Sequence, residues 1–167
     1  FVRRIDFNFG YDVATAIIVD STIRPMLLTQ GYTVAGYSGE EAAVAWCCHT
    51  VNLGGLGARR ATVDVGPWYD YATAVGYQAD TALNKVYTVA GGYYLDGFSG
   101  SYPRMFLFRL ENEGDHGFEL DTTFGEAGIL RHHVGDTTDL INAFVIQEDN
   151  SIIAAGAVDD LMAVFRF

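Results

Sequence analysis

Val2-Arg3-Arg4-Ile5-Asp6-Phe7-Asn8-Phe9-Gly10 returns later in the chain as Ala58-Arg59-Arg60-Ala61-Thr62-Val63-Asp64-Val65-Gly66, with the same length, paired arginines and closing glycine. A shorter version, Leu130-Arg131-His132-His133-Val134-Gly135, follows. A second block comes after each: Tyr11-Asp12-Val13-Ala14-Thr15-Ala16, then Tyr69-Asp70-Tyr71-Ala72-Thr73-Ala74, then Thr138-Asp139-Leu140-Ile141-Asn142-Ala143. A third block reads Thr33-Val34-Ala35-Gly36, Thr88-Val89-Ala90-Gly91 and Ile153-Ala154-Ala155-Gly156. A fourth closes each unit: Ala43 to Cys48, Met105-Phe-Leu-Phe-Arg-Leu110 and Met162-Ala-Val-Phe-Arg-Phe167. Four blocks in one order, three times over, are not a coincidence of composition. The chain reads as one repeat domain, 1–167, of three units spanning 1–57, 58–129 and 130–167.

Each block is a short β-branched or aromatic run bounded by turn residues, which predicts a strand. Ile5, Phe7 and Phe9 alternate with Arg4, Asp6 and Asn8, as in a strand with one wet face. Ala16 to Val19 and Ala143 to Ile146 are unbroken apolar runs, as expected of strands covered on both faces. Gln147 to Ser151 carries turn chemistry. Glu40 to Ala45 has helical propensity but occupies a fourth-strand position, and a strand is expected. The fold class is therefore all-β: three tandem four-stranded antiparallel units. Four strands per repeat is the pattern of a propeller blade. Propellers close with roughly four to eight blades, so three units predict an open arc.

Composition agrees. Tyr and Phe number 10 and 11, Gly 19, and only 19% of residues are charged, against roughly a quarter in an average domain. Such a chain suits turns and strands and has apolar surface to spare for a partner. The net charge is −11 with one lysine, Lys85. Nucleic acid and anionic membrane are poor partners for an acidic chain with scattered arginines. No apolar run is long enough for a membrane helix. The chain opens at Phe1, as expected of a processed product or an excised segment.

The units resemble a known family. Ala143-Phe-Val-Ile-Gln-Glu-Asp-Asn-Ser-Ile-Ile-Ala-Ala-Gly156 looks like the signature of the bacterial delta-sixty repeat, with Asn150-Ser151 in place of Gly-Lys. Leu120-Asp-Thr-Thr-Phe-Gly-Glu-Ala-Gly128 is similar to its Leu-Asp-x-Ser/Thr-Phe-Gly-x-x-Gly linker, and Phe108-Arg109-Leu110 and Phe165-Arg166-Phe167 to its strand ending in Arg. The likeness is strongest from Leu120 onward and weakest in unit one, which has Asp20 where Gln78 and Gln147 stand and lacks the linker. It implies a propeller-like repeat from large, often secreted or surface-attached bacterial proteins, and brings no catalytic set.

No nucleophile-base, metal-ligand or phosphate-cradle motif is present, so no enzyme activity, cofactor or metal is expected. His132 and His133 fall on one strand with opposed rings, one expected exposed and one packed. Glu111, Glu113 and Asp115, and Asp159-Asp160, read as solvated acidic loops rather than a calcium site. Cys47 and Cys48 are adjacent and read as small strand residues. No Asn-x-Ser/Thr sequon occurs.

Two functional readings remain. The first strand presents Phe1, Ile5, Phe7 and Phe9, and the last Ala163, Phe165 and Phe167, with no lysine or proline to blunt either edge. These mark assembly surfaces of an extracellular or cell-surface structural protein whose partner is itself, joined head to tail as a filament or ring. The alternative is a binding module that stacks a glycan on Trp68, Tyr69, Tyr71, Tyr93, Tyr94, Phe98 and Tyr102.

Overall fold

The computed structural model describes residues 7, 11–20, 31–48, 59–83, 85–97, 102–113 and 117–167, without the side chains of Asp20, Cys47, Cys48, Asn112 and Glu113. Among the described residues there are strands and turns and no helix. The strands are β1 (Asp12–Asp20), β2 (Gly31–Ser38), β3 (Glu41–Cys48), β4 (Arg59–Val63), β5 (Asp70–Asp80), β6 (Lys85–Asp96), β7 (Tyr102–Glu113), β8 (Gly117–Leu120), β9 (Ile129–His132), β10 (Asp139–Ile146), β11 (Ile152–Val158) and β12 (Leu161–Arg166). They form three antiparallel sheets: β1-β2-β3-β4, then β5-β6-β7 with β8 and β9 both on β7, then β10-β11-β12. Glu41 onward is strand, as its place in the repeat requires.

The sheets are offset from the sequence units by one strand. β4, the opening block of unit two, pairs with β3 of unit one. β9, the opening block of unit three, pairs with β7 of unit two. Sheets one and two thus each take a strand from the next unit along the chain, which ties neighbouring units together.

The first strand of every sheet is bulged at one equivalent place, Thr15, Thr73 and Asn142. A bulge adds a residue to one strand and bends it. Opposite each bulge stands a glycine: Gly36, Gly92 and Gly156. A Cβ at Gly36 would lie 2.8 Å from Val13 C, one at Gly92 2.9 Å from Thr73 N, and one at Gly156 2.8 Å from Leu140 C, each nearer still to a backbone oxygen. This fixes the register between repeats. Thr33-Val34-Ala35-Gly36 matches Val89-Ala90-Gly91-Gly92, one residue later than the sequence blocks suggest. In the fourth block Ala42 to Cys47 matches Met105 to Leu110, one residue earlier. Because side chains alternate, a one-residue slip reverses every face.

The sheets stack face to face in chain order. Between sheets one and two, Ala42 and Val44 pack with Ala90, Phe106 and Phe108. Between sheets two and three, Met105 and Leu107 pack with Ile141, Ile152 and Ala154. Hairpin chemistry follows its rules: Asp159 and Asp160 both take positive φ, 46° and 65°, in the two-residue turn joining β11 to β12, the pattern of a type I′ turn.

The apolar runs of β1 and β10 are not covered on both faces. Ile17 and Val19 on β1, and Val145 on β10, are exposed. Both strands belong to outer sheets of the stack, so only one face of each meets a neighbour.

Candidate interaction faces

Two junctions join the three sheets, and they are built alike. The Thr15 hydroxyl donates to Ala35 O (3.0 Å) within its own sheet and to Ala72 O of sheet two. The Thr73 hydroxyl donates to Gly91 O (3.3 Å) and to Ile141 O of sheet three. The bulge turns the same residue toward the following sheet each time. Tyr77 Oη meets Thr33 Oγ1 at 2.5 Å across the first junction. Across the second, Gln78 Nε2 donates to Asn150 O (2.8 Å) and Asn150 Nδ2 to Ala79 O (2.9 Å). Gly76 leaves the space that Phe144 and Ile146 fill.

One aspartate pins the segment leading into each sheet. Asp12 Oδ2 accepts from Phe7 N (3.1 Å), Asp70 Oδ2 from Val65 N (2.6 Å) and Asp139 Oδ2 from Val134 N (3.1 Å). Asp70 Oδ1 also accepts from Gly66 N (3.1 Å) and Asp139 Oδ1 from Gly135 N (2.8 Å). Asp139 is fully buried and bonded by buried Arg104 at 3.2 Å, whose guanidinium also donates to Gly135 O and Asp136 O. Asp12 Oδ1 is buried with no hydrogen-bond partner among the described residues.

Burial pushes the Asp70 carboxyl up to about 7, outweighing the Val65 and Gly66 amides. Hydrogen bonds from the Thr137 and Asp136 amides hold Asp159 down at about 2. At Asp121 burial works upward, but Thr123 and Arg109 prevail and hold it below the usual range. The signs give a stability profile. Asp121 and Asp159 stabilise the fold above the ordinary carboxylate range and lose that effect as pH falls through their lowered values. Asp70 keeps its proton in the native state where the unfolded chain has lost it, so stability falls as pH rises from about 4 to about 7. Thermal melts across that window are expected to show a declining Tm, and Asp70→Asn to flatten the decline.

Linker residue Asp121 joins a second network. Arg109 Nε donates to Asp121 Oδ2 (2.6 Å) and Nη1 to Gln78 Oε1 (2.7 Å), with the guanidinium over the Tyr87 ring (4.5 Å) and the Phe124 ring (5.0 Å). In sheet three the equivalent Arg166 reaches Asp149 Oδ2 (3.0 Å) in the open.

Of the assembly residues expected from sequence, Phe1, Ile5 and Phe9 lie outside the described residues, and Phe7 is half-buried. Ala163, Phe165 and Phe167 are half-buried, the two phenylalanines against sheet two. The alternate residues of β12 are the open ones: Met162 is 92% exposed and Val164 71%. His132 and His133 are both exposed, His132 edge-on to Phe167 at 5.8 Å. Glu111 pairs with Lys85, Asp115 lies outside the described residues, and among the described residues no cluster of three metal-ligating side chains occurs.

The aromatic set divides. Tyr71 stacks with Tyr93 (5.0 Å) and Tyr69 (6.3 Å) and meets Tyr37 edge-on (4.9 Å), bridging sheets one and two. Burial pushes the Tyr71, Tyr93 and Tyr94 phenols up. Trp68, Tyr69 and Tyr102 are exposed, and Phe98 lies outside the described residues. The three aspartates and the bulge residues recur in the second block of every unit, the aspartates just after each glycine, and that recurrence is the signal of their role in the sequence. No protein-family model, curated protein or solved structure matches the chain.

Proposed function

We propose that this is a non-enzymatic structural protein whose sheets act as propeller-like blades and which associates head to tail with copies of itself into a filament or ring. The carrying observation is the repeated junction. Sheet two meets sheet one through a leading face and sheet three through a trailing face. The leading face of sheet one is open at Ile17 and Val19, 65% and 61% exposed. The trailing face of sheet three is open at Met162 and Val164. Exposed contiguous apolar faces mark interaction sites. Strand pairing points the same way. Met105 to Phe108 of β7 carries β9, whereas the matching edge of β12, Met162 to Phe165, carries no strand among the described residues. Val2 to Gly10 is the sequence copy of the block that forms β4. A heterologous contact of this kind closes as a ring or runs on as a filament. Two chains of three units would make six blades, within the range of roughly four to eight that closes. The extracellular or surface location rests on the likeness to delta-sixty repeats.

Negative-stain microscopy with light scattering tests the reading. Rings or filaments whose mass grows with concentration are the expected result. Single-chain particles at high concentration would end it and turn attention to a glycan on exposed Trp68, Tyr69 and Tyr102, the favouring observation being the Tyr71 and Tyr93 rings that pack beside Tyr69.

A further inference from the structure

The bulge register allows the missing junction to be written residue by residue, resting on the head-to-tail reading above. Val13, Ile17 and Val19 of β1 stand where Tyr71, Val75 and Tyr77 stand on β5, and where Leu140, Phe144 and Ile146 stand on β10. In sheets two and three the positions after the bulge face the preceding sheet: Tyr77 meets Thr33, and Phe144 and Ile146 fill the space over Gly76. On the other side, Met162 and Val164 of β12 match Met105 and Leu107 of β7, both fully buried against sheet three.

The leading face of sheet one holds a cleft of about 230 Å³, lined by Val13, Ala14, Val34, Ala43 and Asp12 among others. By register, Ala14, Val34 and Ala43 match Ile141, Ala154 and Ala163 of sheet three, the region that receives Met105 and Leu107. Large trailing side chains meet small leading ones there.

We infer that the cleft on sheet one is the seat for Met162 and Val164 of a second copy, with Ile17 packing on Val145 and the Asn142 side chain donating to Ala14 O across the junction. Asn142 is exposed and holds the bulge position from which Thr15 and Thr73 reach Ala72 O and Ile141 O. One contact of the second junction is not reproduced. Arg104, which meets Asp139, is matched in sheet three by exposed Leu161, and Asp12 is the aspartate it would face. The intermolecular junction therefore lacks that ion pair and is reversible.

Complementary blocking tests this. Ile17→Lys and Met162→Lys alter exposed side chains, so far-ultraviolet circular dichroism should stay that of the wild type. Each variant alone is expected to be a monomer by light scattering where the wild type assembles. Mixed, they retain one good leading and one good trailing face, and should form a dimer that grows no further. Variants that assemble like the wild type, or a mixture that stays monomeric, overturn this junction while leaving self-association standing. A wild-type monomer defeats the head-to-tail reading itself. Leu161→Arg supplies the absent partner for Asp12 Oδ1 and should lower the assembly concentration about tenfold, as a charge-assisted hydrogen bond would. An unchanged threshold overturns the placement of Asp12.

Discussion

Asp139→Ala is expected to cost roughly 3–5 kcal/mol, the loss typical of breaking a buried ion pair from one side. The carboxylate accepts from two backbone amides and from Arg104; Asp139, Arg104 and Gly135 are buried, while Val134 is exposed. Its removal leaves the Arg104 guanidinium, among the described residues, with the Gly135 and Asp136 carbonyls and the Tyr102 ring, and leaves the Val134 and Gly135 amides without their acceptor. An orphaned buried donor costs its full desolvation, about 1–3 kcal/mol. Typical stabilities are about 5–15 kcal/mol, so a large part of the margin goes. The repeat supplies internal controls. Asp70 accepts from two amides, and Arg131 beside it bonds Val65 O rather than the carboxylate; Asp12 accepts from one described amide. Urea unfolding of the three alanine variants should rank the losses Asp139, then Asp70, then Asp12. Equal losses would show that the aspartates act through backbone capping alone and that Arg104 adds nothing.

Much of this fold was legible in the chain because each unit is written in the same order of blocks. Antiparallel pairing and the place of most strands follow from that order; β8 lies in none of the blocks, the first block of unit one lies, apart from Phe7, outside the described residues, and the sheets have four, five and three strands rather than four each. The faces did not follow, and the reason is physical. A bulge at Thr15, Thr73 and Asn142 reverses the alternation midway along the first strand, and no side-chain pattern announces it. Copy two also carries two glycines in succession, so Gly91 was matched with Gly36 when the register assigns that role to Gly92. At the last strand the match of Met162 with Met105 holds, but alternation alone does not say which face is covered: Ala163, Phe165 and Phe167 turn inward toward sheet two, and Met162 and Val164 turn out. The offset between sequence units and sheets was hidden for a different reason. Block order says which strands exist, while pairing of β4 on β3 and β9 on β7 is decided by which neighbour can satisfy their backbone groups. The aspartates were visible in every copy, but their role depends on amides five residues upstream that only the folded crossing brings within reach.

Gly92→Ala is the second change with a large expected effect, and it tests the register directly. An added Cβ would fall against the Tyr71 carbonyl and 2.9 Å from Thr73 N, both backbone atoms held by the bulge. Neither can rotate away, so β5 and β6 must separate or the bulge must be lost. Overpacking a tight site costs roughly 1–3 kcal/mol, and a backbone clash belongs at or above the upper end. The damage also travels. Thr73 is the bulged residue, and its hydroxyl reaches Ile141 O on sheet three. Straightening the bulge withdraws that hydroxyl and moves the strand whose Gly76 admits Phe144 and Ile146. Gly91→Ala is the matched control, since its nearest obstacle is the end of the buried Leu107 side chain at 2.5 Å, with the Phe106 carbonyl oxygen farther off at 3.0 Å. Thermal unfolding should therefore show a larger Tm loss for Gly92→Ala than for Gly91→Ala, with Gly36→Ala and Gly156→Ala falling beside Gly92→Ala. If Gly91 proved the costlier site, the repeat register would be one residue out, and the assignment of Met162 and Val164 to the open trailing face would reverse with it.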